Sequence, residues 1–443
     1  MVWSNYPVDP VSELKPQSAV SVPAKARHYG GEMDKKRMVQ STALEQGRGM
    51  TARSARWLLP VIYRGFISLG LPDGSLGTAW PQIHRTLDLA VGLAGPLLLT
   101  ATLFGAVSSL MSSWIIHRIS TGPVVLISCL LTASGLLMLA YAPNVVWLWA
   151  AAVPLGFGAG AVDASLNGFV AKHYEARHMS WLHGCWGVGA TAGPFVMAAA
   201  LTTSDDGWRT GYLVLGGSQF ALVGLFAVTL GLWKFAPSRT RGGSDDGSVS
   251  SAEPKTLTMP ARSVAGAISA GLFALYVGLE VLAGLWVATF LVGMRGASPA
   301  EAGWCVTAYY ASIMTGRFLI GFVVDRWGNR RVVRGALGVG LLGVVIFALP
   351  VGLIGSAVAL VLIGGGLSVI YPSLMHEVPR RFRPEDVQRV IGWQNSAAYL
   401  GGAFFPLVAG GLIQWVGVWV VPVFLVMGVI VLQLGVARLD RLT

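Results

Sequence analysis

What most constrains this chain is the recurrence of apolar runs about 20 residues long, the length of helix that crosses a ~30 Å hydrocarbon core. Twelve can be placed, at approximately 57–83, 90–115, 122–141, 145–170, 184–203, 210–233, 263–293, 301–324, 332–351, 354–376, 390–415 and 417–437. Barrel strands are shorter and alternate in polarity, so these runs predict helices. The expected fold class is all-α, a polytopic membrane protein with twelve transmembrane helices. Composition agrees, because 54% of the residues are hydrophobic and 12% charged, where soluble domains carry about 25% charged residues.

The basic residues orient the runs. With both termini on the cytoplasmic side, 27 of the 32 Lys and Arg residues fall on that side, leaving Arg85, Arg209 and Arg295 outside and Arg64 and Arg317 within spans. Such a bias sets topology. The net charge of +11 is explained by insertion, and no nucleic-acid partner is needed. Cys129, Cys185 and Cys305 fall in or near spans without CxxC spacing, so they read as buried thiols, with no disulfide framework and no metal. No cofactor is implied.

Four segments are expected: a disordered cytoplasmic tail (1–55), a six-helix bundle (56–233), a polar Gly/Ser/Pro-rich cytoplasmic linker (234–262) and a second six-helix bundle (263–443). The tail lacks the apolar core of a signal peptide. It reads either as a true extension or as sequence upstream of a natural start at Met50, whose "MTARSARWLLP" is a short basic lead into the first span.

Six plus six suggests duplication, and four places support it. Asp73 precedes Gly77 by four residues as Glu280 precedes Gly284; "GFGAGAVDASL" from Gly156 matches "GGGLSVIYPSL" from Gly364; His183 and Asn395 each lie eleven residues before a proline, Pro194 and Pro406. The fourth is the loop after the second helix of each half. The second half has "GFVVDRWGNRR", and the first half has the degraded "SWIIHRISTGP", with His117 where an acid would match Asp325.

A parallel repeat of six helices around a midplane site is how major facilitator transporters are built, and the chain resembles that superfamily over essentially everything after residue 55. Gly321, Asp325, Arg326, Gly328 and Arg330 look like its G-x-x-x-D-R-x-G-x-R loop, a cytoplasmic gate element. Within the superfamily, Asp73, Asp163, "WLHGCWGVGATAGP" and "YVGLEVLAGLW" are similar to the fucose-permease-like branch of sugar/proton symporters. The resemblance implies a secondary transporter of the cytoplasmic membrane that moves a small, sugar-like solute together with protons; a monomer is expected because a single chain with two bundles contains a complete pathway. The alternative is an efflux antiporter of the same fold, since "GATAGP" partly resembles the helix-five G-x-x-x-G-P element of drug antiporters.

Asp73, Asp163 and Glu280 are the carboxylates placed deep within spans. A charge at a helix centre costs about 2.5 to 3.5 kcal/mol, so each needs a cavity, a partner or a proton. Asp73 lies in "GLPDGSLGTAWP", where Pro72 and glycines loosen the helix; it reads either as a cap at a helix break or as a cavity acid. Asp163 and Asn167 share one helix face at i and i+4, and Asn167 can also be interhelical glue. Asp73, Asp163 and Glu280 are the proton-coupling candidates. Asn167, Asn395, Gln394 and Trp286 are the substrate-contact candidates, Trp286 as an aromatic face for a sugar ring.

For Arg317 two expectations stand open, membership of the cytoplasmic charge cluster or compensation of a cavity acid. His183 reads as a structural, hydrogen-bonded histidine, and His173 and His178 as solvated. There is no G-x-x-x-x-G-K-[ST] loop for ATP, and the runs Gly156/Gly158/Gly160 and Gly364/Gly365/Gly366 read as helix-packing surfaces. No HExxH, catalytic triad or clustered ligand set supports an enzyme.

Overall fold

The structure, a computed structural model, describes residues 57–174, 176–235 and 264–443. The expected tail 1–55 and the expected linker from 236 onward lie outside these residues. Among the described residues there are fourteen α-helices and no strand: α1 (57–70), α2 Ser75–Thr86, α3 Ala94–Ile119, α4 Thr121–Ala140, α5 Val145–His173, α6 Ala176–Ala200, α7 Gly207–Thr229, α8 Val264–Met294, α9 Pro299–Trp327, α10 Asn329–Ala348, α11 Leu353–Ser368, α12 Ile370–Arg381, α13 Pro384–Val416 and α14 Val420–Leu442.

Each of the twelve expected runs is helical, two of them in two pieces. The first is split between α1 and α2, the tenth between α11 and α12. The first break follows from its residues. Pro72 has no N–H to give, and Gly74 sits at φ +71°, a region costly for side-chain-bearing residues. Ser75 Oγ then donates to the Pro72 carbonyl at 2.6 Å and Thr78 Oγ1 to that of Gly74 at 2.9 Å, restarting the helix.

Nine described stretches are long and apolar enough to cross a membrane. The other three expected spans are α1/α2, α6 and α9. The first is interrupted, whereas α6 and α9 have 25 and 29 residues and fall short in apolarity. Histidine, glycine and threonine dilute α6, and Glu301, Arg317 and Asp325 dilute α9.

Small residues set the packing, as expected for helices that share a solvent as apolar as themselves. In the first half α3 and α5 approach so closely that a Cβ on Gly160 would strike the Gly105 carbonyl. In the second half, Gly364 lies against Ser312 and the Tyr309 carbonyl of α9, and Gly366 against Gly340 of α10. The glycine runs therefore do pack helices.

The duplication is visible in which helices touch. α4 packs on α5 as α10 does on α11, α3 on α5 as α9 on α11, and α4 on α7 as α10 on α14. The halves meet through the second helix of one and the fifth of the other, both ways round, in the pairs α3/α13 and α6/α9. The loop after each second helix also repeats: Ser120 at φ +67° stands where the second half has Gly328 at φ +80°.

Candidate functional site

One end of the bundle carries the α3–α4, α9–α10 and α12–α13 junctions with Arg118, Arg326, Arg330, Arg380 and Arg381; this is the basic end. At the other end the halves are in backbone contact. A Cβ on Gly77 would strike the Gly284 carbonyl and Leu285, one on Gly92 would meet the Gly410 carbonyl at 2.6 Å, and one on Gly303 would meet Ala198 at 2.7 Å. Between that seal and the basic end lie the intramembrane acids.

Asp73 occupies the α1/α2 break. α6 lies directly on that break because two of its glycines offer no side chain: Gly189 faces the Ile67 carbonyl and Gly193 that of Leu71. One turn before Gly189, Trp186 donates its indole N–H to Asp73 Oδ2 at 2.7 Å. The same indole presents its ring to Arg317 of α9, with the guanidinium carbon 4.7 Å from the ring centroid. Arg317 then pairs with Glu280 of α8 at 3.0 Å and also donates to the Tyr276 hydroxyl at 3.0 Å. Tyr276 donates to Glu280 in turn, and Tyr309 donates to the Glu280 backbone carbonyl at 3.3 Å. Asp73 of the first half and Glu280 of the second, partners in the repeat, are thus joined through Trp186 and Arg317.

The second acid stands nearby. Asp163 accepts Asn167 Nδ2 at 2.9 Å along α5 and the Tyr399 hydroxyl at 2.8 Å from α13 in the opposite half. Tyr399 is 50% exposed even while it makes that bond, so the space beside it is open. Tyr371 of α12 completes the ring of groups: it packs on Phe273 and Tyr276 with centroids 4.9 and 6.2 Å apart and donates to Asn395 Oδ1 at 3.2 Å. Asn167 Oδ1 is buried with no protein partner.

Asp73, Asp163, Glu280, Asn167 and Asn395 therefore come together. Two other candidates sit elsewhere. Trp286 is fully enclosed between α8 and α13, its N–H committed to the Pro406 carbonyl at 2.9 Å and its ring against Gly410. Gln394 is equally enclosed and donates to Ser269 Oγ at 2.7 Å. Both hold the α8/α13 seam in place of offering a face to a solute, because the small residues of α13 bring that helix close against α8.

Of the two expectations for Arg317, the geometry selects compensation of a cavity acid. The charge cluster at the basic end has a different centre, Asp440 of α14, which holds Arg381, Arg334 and Arg330 at 2.8, 2.9 and 3.7 Å. Of the loop motif, Gly321 and Asp325 lie on the last turns of α9, Arg326 is exposed, Gly328 makes the turn and Arg330 joins Asp440. His183 packs edge-on against Phe66 at 5.6 Å. His178, expected to be solvated, is bonded to the Tyr63 hydroxyl at 2.7 Å, and His173 to the Phe169 carbonyl at 2.9 Å.

Trp186, Tyr276, Tyr371 and Tyr399 were not distinguished by the sequence, since an aromatic residue in an apolar run has the same local pattern whether it packs or donates. The available signal was Trp186 standing three residues before a G-x-x-x-G pair on a helix unusually rich in polar and small residues.

The arrangement gives a polar cluster inside the helical spans, with acids from both halves joined through side chains and the halves in backbone contact at one end. The sequence model of the Major Facilitator Superfamily matches twice, over residues 64–294 and 268–441. No curated protein matches the sequence. Solved structures share the fold at low identity. A mutant form of the nucleoside transporter NupG superposes with a TM-score of 0.63 at 14% identity over 86% of this chain and 99% of its own. A D-xylose–proton symporter gives 0.61 at 15% over 85% and 96%. A bacterial homologue of the human lysosomal transporter Spinster, in an inward-facing and occupied conformation, gives 0.65 at 14% over 88% and 97%. With a twofold family match spanning both six-helix halves, the chain belongs to the Major Facilitator Superfamily of membrane transporters.

Proposed function

We propose that this transporter couples protons to the uptake of a small, neutral, polyhydroxylated solute, by alternating access in the cytoplasmic membrane with both termini in the cytoplasm. The single chain, a monomer divided into bundles 56–233 and 263–443 by a linker, would contain the whole pathway. The observation that carries this reading is Asp163, a carboxylate within a span that receives a hydrogen bond from Tyr399 of the opposite half. Taking up a proton turns one of its oxygens from acceptor to donor, so proton binding and the closeness of the two halves become one equilibrium.

The site around it is polar without net demand for a charged solute, because Arg317 and Glu280 neutralise each other. Asn167 Oδ1 offers an acceptor to a solute hydroxyl, and the Tyr371–Asn395 pair offers a second polar contact. The likeness of the Asp73 and Asp163 segments to fucose-permease-like sequences points to a sugar-like solute. Asp73 would be the second proton site, and Glu280 its counterpart across the Trp186–Arg317 bridge.

Proteoliposomes given an inward proton gradient and radiolabelled monosaccharides test this. At least one sugar is expected to accumulate above equilibrium in a protonophore-sensitive way. Asp163→Asn is expected to lose uphill accumulation while keeping sugar counterflow. Accumulation by wild type that ignores the protonophore, or full uphill transport by Asp163→Asn, defeats the proposal.

A further inference from the structure

At the basic end, on the outer face of the bundle, α10 and α14 diverge around a groove of about 420 Å³. Its lining combines polar side chains, Arg334, Arg441, Asp440 and Gln433, with apolar ones, Leu337 and Val436. It belongs to no part of the solute pathway, since α10 and α14 supply none of the groups that surround Asp73 and Asp163.

The charges there do not balance. Asp440 is 3% exposed and already serves Arg330, Arg334 and Arg381, while Glu377 serves Arg380 and Arg381. Five guanidiniums, counting Arg441, thus stand against two carboxylates. Arg441 has no ion-pair partner and Gln433 no side-chain hydrogen-bond partner among the described residues, and Arg334 remains 61% exposed despite its bond to Asp440. Exposed guanidinium donors in excess over the local carboxylates suit an anion with several acceptor oxygens.

What lies toward the membrane interior decides which anion. Val339, Leu342 and Val345 on α10 are 41%, 55% and 43% exposed, and Met427, Val431 and Leu434 on α14 are 56%, 50% and 64% exposed. These rows of apolar side chains continue from the groove along helices that cross the hydrocarbon. A free phosphate would use only the arginines; an amphipathic phosphate would use both.

We infer that the α10/α14 groove is a binding site for one anionic phospholipid, its headgroup phosphate held by Arg334 and Arg441 with Gln433 beneath, and its acyl chains laid along the exposed rows. Such basic pockets between helices on the positively charged side are where acidic headgroups bind. The occupant would tie α10 to α14 and leave the rest of the second half untouched.

The test uses the full chain purified in dodecyl maltoside and titrated with phosphatidylglycerol, phosphatidylcholine or inorganic phosphate, read by thermal melting and by native mass spectrometry. Phosphatidylglycerol is expected to raise the melting temperature and to appear as one retained lipid, while the other two do neither. Roughly 1 kcal/mol per basic residue near an anionic headgroup predicts about fivefold weaker half-saturation in Arg441→Gln and about thirtyfold in Arg334→Gln/Arg441→Gln. Arg441 makes no ion pair within the described residues, so its single variant folds whatever becomes of Arg334. Equal stabilisation by inorganic phosphate, equal retention of phosphatidylcholine, or an unchanged half-saturation in Arg441→Gln would overturn the inference.

Discussion

Replacing Glu280 by Gln leaves Arg317 charged in a place built for a pair. The two side chains are 9% and 15% exposed and 3.0 Å apart. Breaking a buried pair from one side costs about 3–5 kcal/mol, whereas removing both charges together is often nearly neutral. Two features moderate the single change. Gln still accepts one hydrogen bond from Tyr276, and the ring of Trp186 over Arg317 retains about 1 kcal/mol of cation–π attraction. The expected cost of Glu280→Gln is therefore about 3 kcal/mol, the low end of the range. Arg317→Met is expected to cost about 4 kcal/mol, because it strands Glu280 and also removes a donor to Tyr276. The double variant should lose only ~1–2 kcal/mol, mainly the imperfectly satisfied Tyr276 hydroxyl. Unfolding in mixed micelles with increasing dodecyl sulfate, followed by tryptophan fluorescence, gives the four free energies of the cycle. Single costs that simply add in the double variant would show that the pair contributes no coupling, and the account of the site as a charge-neutral chamber would fail with it.

Other outcomes follow from the same geometry. Tyr399→Phe deletes the bond to Asp163 and should shift the halves apart by a factor of about three, taking ~0.6 kcal/mol for a hydrogen bond between membrane helices; spin labels at positions 118 and 389 read this as a longer distance distribution. Ser120→Gly should stabilise the protein by about 1 kcal/mol, since Ser120 holds φ +67°, ψ 167°, a backbone region suited to glycine, and thermal melting checks it. Asp440→Asn leaves Arg330, Arg334 and Arg381 without their shared carboxylate and should destabilise by about 3 kcal/mol or more. A melting temperature within experimental error of wild type would show that water already screens those arginines.

The twelve spans were legible because length and apolarity are local, additive properties of the sequence. So was the break at Pro72–Gly74, which two residue types dictate on their own. The pairing of Arg317 with Glu280 was not, because those residues are 37 positions apart and nothing local says which neighbour an intramembrane arginine faces. Trp286 was expected at the solute and lies in a seam, while Trp186 lies at the site; the two indoles differ only in what the neighbouring helix presents. One signal was stronger than it looked. The span broken into two short helices carries Asp73, and the two that fall below the apolarity of a membrane crossing, α6 and α9, carry Trp186 and Arg317. A helix with several polar and small residues in its middle loses its greasy signature there, as α6 and α9 do, whereas α5 and α8 carry Asp163 and Glu280 singly and keep theirs.

The crossed pairing of α3 with α13 and α6 with α9 has a mechanical consequence. If the halves rock as the proposed function requires, the two matched seams would act like the paired pins of a seesaw, so that tilting one half against the other would widen the gap above the pins only by narrowing it below. On the proposed alternating-access reading, a solute held between the acids would then be offered to either face of the bilayer in turn.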